Sequence, residues 1–200
     1  MSERFRIDPG AALPAAFLLL IGSAGEIAAV LLPAVIHELG HLAALRLLGL
    51  RVRRLRLELR GVCIEYYGSC SAAGHALAAA AGPAAGFVWA FAAFVLGVRT
   101  GREWLSLSAG VSLLLSLFNL LPALPLDGGR IVLTLSCALL GERRGEHAAE
   151  ALSLFVGAAL LGCGFWLMLR QRGVAVLVAA IWLLLYQESG RGLVKRGEMI

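Results

Sequence analysis

The sequence predicts an all-α membrane protein of about six transmembrane helices, with one β-hairpin lying at the interface or re-entering the bundle. Three observations carry this expectation. Of the 200 residues, 60% are hydrophobic and only 16% charged, and the mean hydropathy is +0.83, whereas a soluble domain carries about 25% charged residues. Apolar runs close to the ~20 residues needed to cross a bilayer recur along the chain. Between two of them, one segment alternates strictly between apolar and polar, which is the period of a strand.

The elements follow in order. Arg4, Arg6 and Asp8 form a charged start like that of a signal peptide, but no A-x-A cleavage site follows, so residues 11–22 read as an uncleaved and rather short first span. Residues 27–48 form the second and hold His37, Glu38, His41 and Arg46. Residues 71–97 form the third, opened by a Ser71 cap and rich in alanine. Residues 104–121 form the fourth, stopped by Pro122 and Pro125. Residues 128–141 are apolar but too short to cross, and read as a half-helix that turns back or lies at the interface. Residues 148–169 and 174–186 supply the fifth span and the core of the sixth.

The hairpin occupies about 51–68. Residues 54–60 alternate Arg, Leu and Glu, Gly61 punctuates, and residues 62–67 return. Open sheet edges are not tolerated in lipid, so this element belongs at the interface or inside the bundle. The whole of 1–200 reads as a single integral-membrane domain. Nothing after Tyr186 is long enough to fold alone, so a regulatory protein would be a separate chain.

The net charge of +5 comes from arginine, with Lys195 the one lysine. These arginines flank apolar runs, where they meet headgroups of the lipid bilayer, so nucleic acid is not an expected partner. Residues 1–10, 51–60, 130–144 and 191–196 fall on one side of a six-span bundle. Glu26, Arg99, Arg102, Glu103, Arg170 and Arg172 fall on the other. The first set is the more basic, which puts both termini in the cytosol. Cys63, Cys70, Cys137 and Cys163 show no C-x-x-C pair and read as small apolar filler.

His37-Glu38-Leu39-Gly40-His41 reads H-E-x-x-H on a predicted helix. Residues four apart share a face, so both imidazoles can meet one Zn²⁺. Zinc lowers the pKa of a water it binds to about 7, and Glu38 stands beside the pair, placed to act as general base. An ionisable cluster inside an apolar span costs about 2.5–3.5 kcal/mol per uncompensated charge, so it calls for a partner. The plainer alternatives are a polar patch satisfied by neighbouring helices, or a proton relay.

A catalytic zinc takes a third protein ligand and keeps one position open. The candidate is Asp127, within residues 119–130, Asn-Leu-Leu-Pro-Ala-Leu-Pro-Leu-Asp-Gly-Gly-Arg. Two prolines break the helix there, freeing backbone groups that only a protein-lined cavity tolerates. Gly128 and Gly129 allow close backbone approach. The alternative is that Asp127 caps the helix starting at Gly128. Gly82 and Gly86 make a G-x-x-x-G pair around Pro83, for which close helix packing is the plain account. His75 reads as interfacial, His147 as solvated, and Phe87, Trp89, Phe91 and Phe94 as lipid-facing or core aromatics.

The H-E-L-G-H motif in an early membrane helix, followed by N-L-L-P-A-L-P-L-D-G-G-R, resembles the site-2 protease family of intramembrane metalloproteases. The short hairpin, the absence of an inserted PDZ domain and Ala81-Gly82-Pro83 are most similar to the branch that processes pro-sigma factors in sporulation. The chain lacks that branch's CBS domain and has Gly86 where many members have asparagine. The resemblance implies Zn²⁺ held by His37, His41 and Asp127, with Glu38 as general base for peptide-bond hydrolysis in or near the membrane. It also implies that Asn119 contacts the substrate or the developing oxyanion. The substrate would be a membrane-bound protein, such as a pro-sigma or anti-sigma factor, in a bacterial cell membrane. An unwound substrate segment could be held by strand addition at the hairpin, through Leu55, Leu57 and Leu59. A divalent-metal transporter and an inactive scaffold that binds membrane helices remain as alternatives. A transporter needs no base beside its ligands and tends to show repeated halves, which this chain lacks.

Overall fold

The computed structural model of the chain describes residues 5–7, 23–58 and 61–194, with side chains for 23–53 and 64–185. The expected first span at 11–22 lies outside the described residues. In chain order the elements are β1 (Phe5–Ile7), α1 (Ala24–Leu47), β2 (Arg51–Glu58), β3 (Gly61–Tyr67), α2 (Ala72–Thr100), α3 (Glu103–Asn119), α4 (Asp127–Leu140), α5 (Glu142–Leu169) and α6 (Ala175–Val194).

Local signals set the helix ends. Ser23 and Glu26 form a reciprocal capping box at the start of α1: the Glu26 N–H donates to Ser23 Oγ at 3.3 Å, and the Ser23 N–H donates to Glu26 Oε2 at 2.7 Å. At the other end the Gly49 N–H donates to Arg46 O and the Leu50 N–H to Leu45 O. This pattern needs a left-handed residue, and Gly49 supplies it at φ +75°. Ser71 caps α2 through the Gly74 N–H, at 3.1 Å, as its position predicted. Helix α3 stops at Asn119, three residues before Pro122, because the residue preceding a proline is pushed out of the helical region.

Two ends differ from expectation. Helix α5 begins at Glu142 rather than near 148, taking in a polar turn that an apolarity rule passes over. Glu142 in its first turn suits the positive end of the helix dipole. Helix α6 runs on past Tyr186 to Val194. Helix α4 has 14 residues, about 21 Å at 1.5 Å per residue, which is short of the ~30 Å apolar layer.

The chain divides into two compact units, Met1–Cys70 with Ala80–Phe118, and Ser71–Ala79 with Asn119–Gly197. In the first unit the hairpin is part of a three-stranded sheet in the order β1-β2-β3. Strands β2 and β3 pair antiparallel with Leu55 opposite Ile64 and Leu57 opposite Val62. The parallel strand β1, absent from the sequence expectation, pairs Phe5 with Leu55 and Ile7 with Leu57. Also in this unit, α2 and α3 meet along a line of serines four residues apart. Ser108 accepts from Trp89 Nε1 at 3.0 Å, and Ser112 Oγ donates to Gly86 O at 2.8 Å. Ser108, Ser112 and Ser116 are all fully buried.

In the second unit, Leu124, Leu133 and Ala149 form a small core with Val132 and Cys137 against it. Helices α4 and α5 close on Gly145, whose position a Cβ would drive into the Cys137 and Ser136 backbone. Helices α5 and α6 close on Gly164, where a Cβ would meet Leu177 Cα at 2.6 Å. Such contacts bring helices together where lipid tails remove the hydrophobic drive for association.

Among the described residues, three helices, α1, α2 and α5, are long and apolar enough to cross a membrane, and residues Ala175–Leu185 form a shorter apolar stretch. Large side chains on the outside are apolar too: Val88 and Phe91 are each 72% exposed, Phe155 70% and Leu114 69%. A surface of this kind is stable under lipid rather than water. Replacing Gly145 by alanine is expected to destabilise the detergent-solubilised protein by about 1–3 kcal/mol through overpacking. An unfolding titration that gave the wild-type midpoint would show that α4 and α5 do not depend on this contact.

Candidate metal centre

The helical period places His37 and His41 on one face of α1, and the structure buries both, at 5% and 3% exposure. Their Nε2 atoms stand 3.2 Å apart, with ring planes at 81° and centroids 4.9 Å apart. The helix can bury this face because Gly40, between the two histidines, lets α2 approach. A Cβ there would lie 2.5 Å from Ala81 O and 2.8 Å from Ala85 Cβ. Glu38, one residue on from His37, is half-buried on the same helix.

Asp127 comes from a different kind of structure. The segment between α3 and α4 folds back on itself: the Ala123 N–H donates to Leu121 O at 2.7 Å and the Leu126 N–H to Ala123 O at 2.9 Å. The buried Leu124 N–H donates to Ser153 Oγ of α5 at 2.9 Å. Gly128 and Gly129 lie directly against this loop, and a Cβ on either would overlap the backbone of residues 120–121 or 123–124. The close approach expected of the double glycine is therefore real, and its partner is the proline-broken loop. The capping position of α4 is Leu126, which makes no side-chain cap bond. Asp127 is the first helical residue, 5% exposed, at the positive end of the helix dipole. Arg130 Nη1 lies 3.7 Å from its Oδ1.

One ligand atom from each of His37, His41 and Asp127 lies within 4.8 Å of the others, and all three residues are buried. The donor set can hold a metal. Atoms bound tetrahedrally to one zinc at about 2.0–2.1 Å stand about 3.3 Å apart, and the two Nε2 atoms are at 3.2 Å. Two imidazole nitrogens and one carboxylate oxygen are also the borderline donors that zinc accepts, leaving a fourth position for water or substrate.

The other expected residues are placed as follows. Asn119 is the last residue of α3 and half-buried. Leu55 and Leu57 lie in β2, where the backbone is paired on both sides, to β1 and to β3. Leu59 lies outside the described residues. His75 and His147 are not in the metal group. Ser153 carries no motif; the one signal for it in the sequence is a lone hydroxyl within an apolar helix.

Residues 100–163 match Peptidase family M50. The chain is 36% identical over 184 residues to the zinc metalloprotease Rip3 of Mycobacterium tuberculosis, covering 85% of this chain and 44% of Rip3. It is 33% identical over 127 residues to the zinc metalloprotease sll0528 of Synechocystis, covering 60% of this chain and 34% of that protein. In structure it is similar to the site-2 protease from Methanocaldococcus jannaschii, with a TM-score of 0.71 at 19% identity, covering 95% of this chain and 92% of that one. Residues 100–163 thus carry the Peptidase M50 signature, and the fold is that of a site-2 protease. The chain spans less than half the length of the curated relatives it matches. With several long apolar helices and this fold, the chain is a multi-pass integral membrane protein.

The site-2 protease fold thus holds Asp127 through a loop fastened by one serine. Ser153→Ala would leave the buried Leu124 N–H without that acceptor, at a cost of about 1–3 kcal/mol. The expected result is a lower unfolding midpoint in detergent, and an unchanged midpoint would mean the loop holds its shape without Ser153.

Proposed function

We propose that the chain is an intramembrane zinc metalloprotease that hydrolyses peptide bonds of membrane-associated or single-span proteins. The observation that carries this reading is the buried His37, His41 and Asp127 group beside a carboxylate, Glu38. The relatives named as zinc metalloproteases support zinc as the ion. A transporter or scaffold has no use for Glu38 at that position.

His37, His41 and Asp127 would hold the ion, which supplies Lewis acidity toward the scissile carbonyl and a lowered pKa for the attacking water. The protein's own groups do the rest. The Glu38 carboxylate accepts a proton from the attacking water and returns it to the leaving amine nitrogen. The Asn119 carboxamide donates to the developing oxyanion. The Arg130 guanidinium, close to Asp127, holds the carboxylate in orientation from outside the donor set. Burial excludes bulk water, so each of these interactions acts in a low dielectric.

A substrate helix must unwind before its amides can react. The sheet offers main-chain bonds to such a segment. Because β2 is already paired on both sides over Leu55–Leu57, the edges open to strand addition are the outer edges of β1 and β3. The substrate class would include precursors of transcription regulators, such as pro-sigma or anti-sigma factors. The charge bias supports both termini facing the cytosol of a bacterial cell.

Glu38→Gln should leave zinc bound in the purified protein and reduce cleavage of a co-expressed single-span substrate at least 100-fold, the upper range for general acid–base catalysis being about 10⁴-fold. Turnover at the wild-type rate would remove Glu38 from the mechanism. Asp127→Ala should lower zinc stoichiometry, read by atomic absorption, and a full complement of zinc would remove Asp127 from the ligand set.

A further inference from the structure

Helix α2 carries two glycines one turn apart, and they face different things. A Cβ built on Gly86 would meet the Ser116 hydroxyl, while Ser116 Cβ stands off at 3.5 Å. Rotation about a single bond clears that overlap. A Cβ built on Gly82 would meet the His41 ring, with Nε2 nearest, Cε1 at 2.5 Å and Cδ2 at 2.7 Å. Cβ atoms essentially never approach within 3.0 Å of a heavy atom of another, non-neighbouring residue. The three ring atoms are the edge of the imidazole that carries Nε2, and Nε2 is the atom facing His37.

The ring is hemmed in on the side of α2. Its own helix cannot back away without losing the contact at Gly40, where α2 already presses on the α1 backbone. His41 is 3% exposed, so its ring is enclosed by protein rather than solvent. A methyl group at position 82 would therefore turn or displace the ring, and the first atom to move would be Nε2.

We propose that Gly82 is a positioning residue for the metal: the absence of a side chain there leaves the space in which His41 presents Nε2 to the ion. Residue 82 then sets metal affinity without being a ligand. The inference rests on the reading of His41 as a zinc ligand. It differs from helix packing alone, because a packing glycine brings two backbones together, whereas the group that fills the space beside Gly82 is the imidazole itself.

The test compares detergent-purified wild type with Gly82→Ala, Gly86→Ala, His41→Ala and the His41→Ala/Gly82→Ala double variant. Zinc affinity is measured by competition with a chromophoric chelator, ligand geometry by the visible spectrum of the Co²⁺-substituted protein, and stability by Tm. Residues that orient a metal ligand are worth about 10–100-fold in affinity, so Gly82→Ala should weaken zinc by that factor and shift the cobalt band. Gly86→Ala should change neither. Gly82→Ala should lower Tm when His41 is present and leave it unchanged in the His41→Ala background, where the ring is gone. Wild-type zinc affinity and cobalt spectrum in Gly82→Ala would overturn the proposal, as would an equal loss of zinc in Gly86→Ala. So would the same Tm loss with and without His41. A wild-type protein that takes up no zinc would overturn the metalloprotease reading and this inference with it, whereas a zinc-binding wild type paired with an unaffected Gly82→Ala overturns this inference alone.

Discussion

Two imidazoles and a carboxylate lie almost fully buried in a chain that is 60% hydrophobic, and much of the local structure answers that constraint. An ionised group in a membrane helix costs several kcal/mol unless something compensates it. Here compensation begins with the groups themselves. The two Nε2 atoms face each other at 3.2 Å, and Asp127 sits at a helix N-terminus with a guanidinium 3.7 Å away. A divalent ion would complete it, because it converts a set of mutually crowded donors into ligands of one charge. Breaking such a set by removing one member leaves the others buried without compensation, which is why single substitutions there are expected to be costly.

The means by which the chain brings polar atoms together is small residues, used in the absence of a hydrophobic drive between helices. Gly40 admits α2 to the backbone of α1, and Gly82 makes room for the His41 ring. Gly128 and Gly129 let the start of α4 lie on the loop that precedes it. The same loop contains Pro122 and Pro125, which cannot continue a helix, and its freed backbone groups find partners in Leu121, Ala123 and Ser153. The Asp127 carboxylate is therefore held by backbone geometry as much as by its own side-chain contacts. The serine line on α3 plays a related part, pairing the Trp89 indole N–H, which apolar side chains would leave unsatisfied, and giving the Gly86 carbonyl a side-chain donor.

How much of this was legible in the residues depends on how local each signal is. The H-E-x-x-H spacing, the serine cap at Ser71 and the break at Pro122 act within a few residues, and each is found where the sequence put it. The polar first turn of α5 was missed because apolarity is a poor guide to a helix end that projects from an apolar layer. Strand β1 was missed for another reason. Three residues carry no periodicity, and their partner, at Leu55–Leu57, is about fifty residues away.

By itself the sequence determined that the chain is helical and membrane-embedded, that two histidines share a helix face with a carboxylate beside them, and that an aspartate follows a proline-broken turn. These follow from composition, the 3.6-residue period and the chemistry of proline, all of which operate along the chain. Tertiary structure alone decided that Ser153 fastens the loop before Asp127, and that Gly82 rather than any larger residue stands against the His41 ring. Those facts depend on which surfaces of distant segments meet. Side-chain volume sets that outcome at distances of a few ångströms, and no spacing rule along the sequence encodes it.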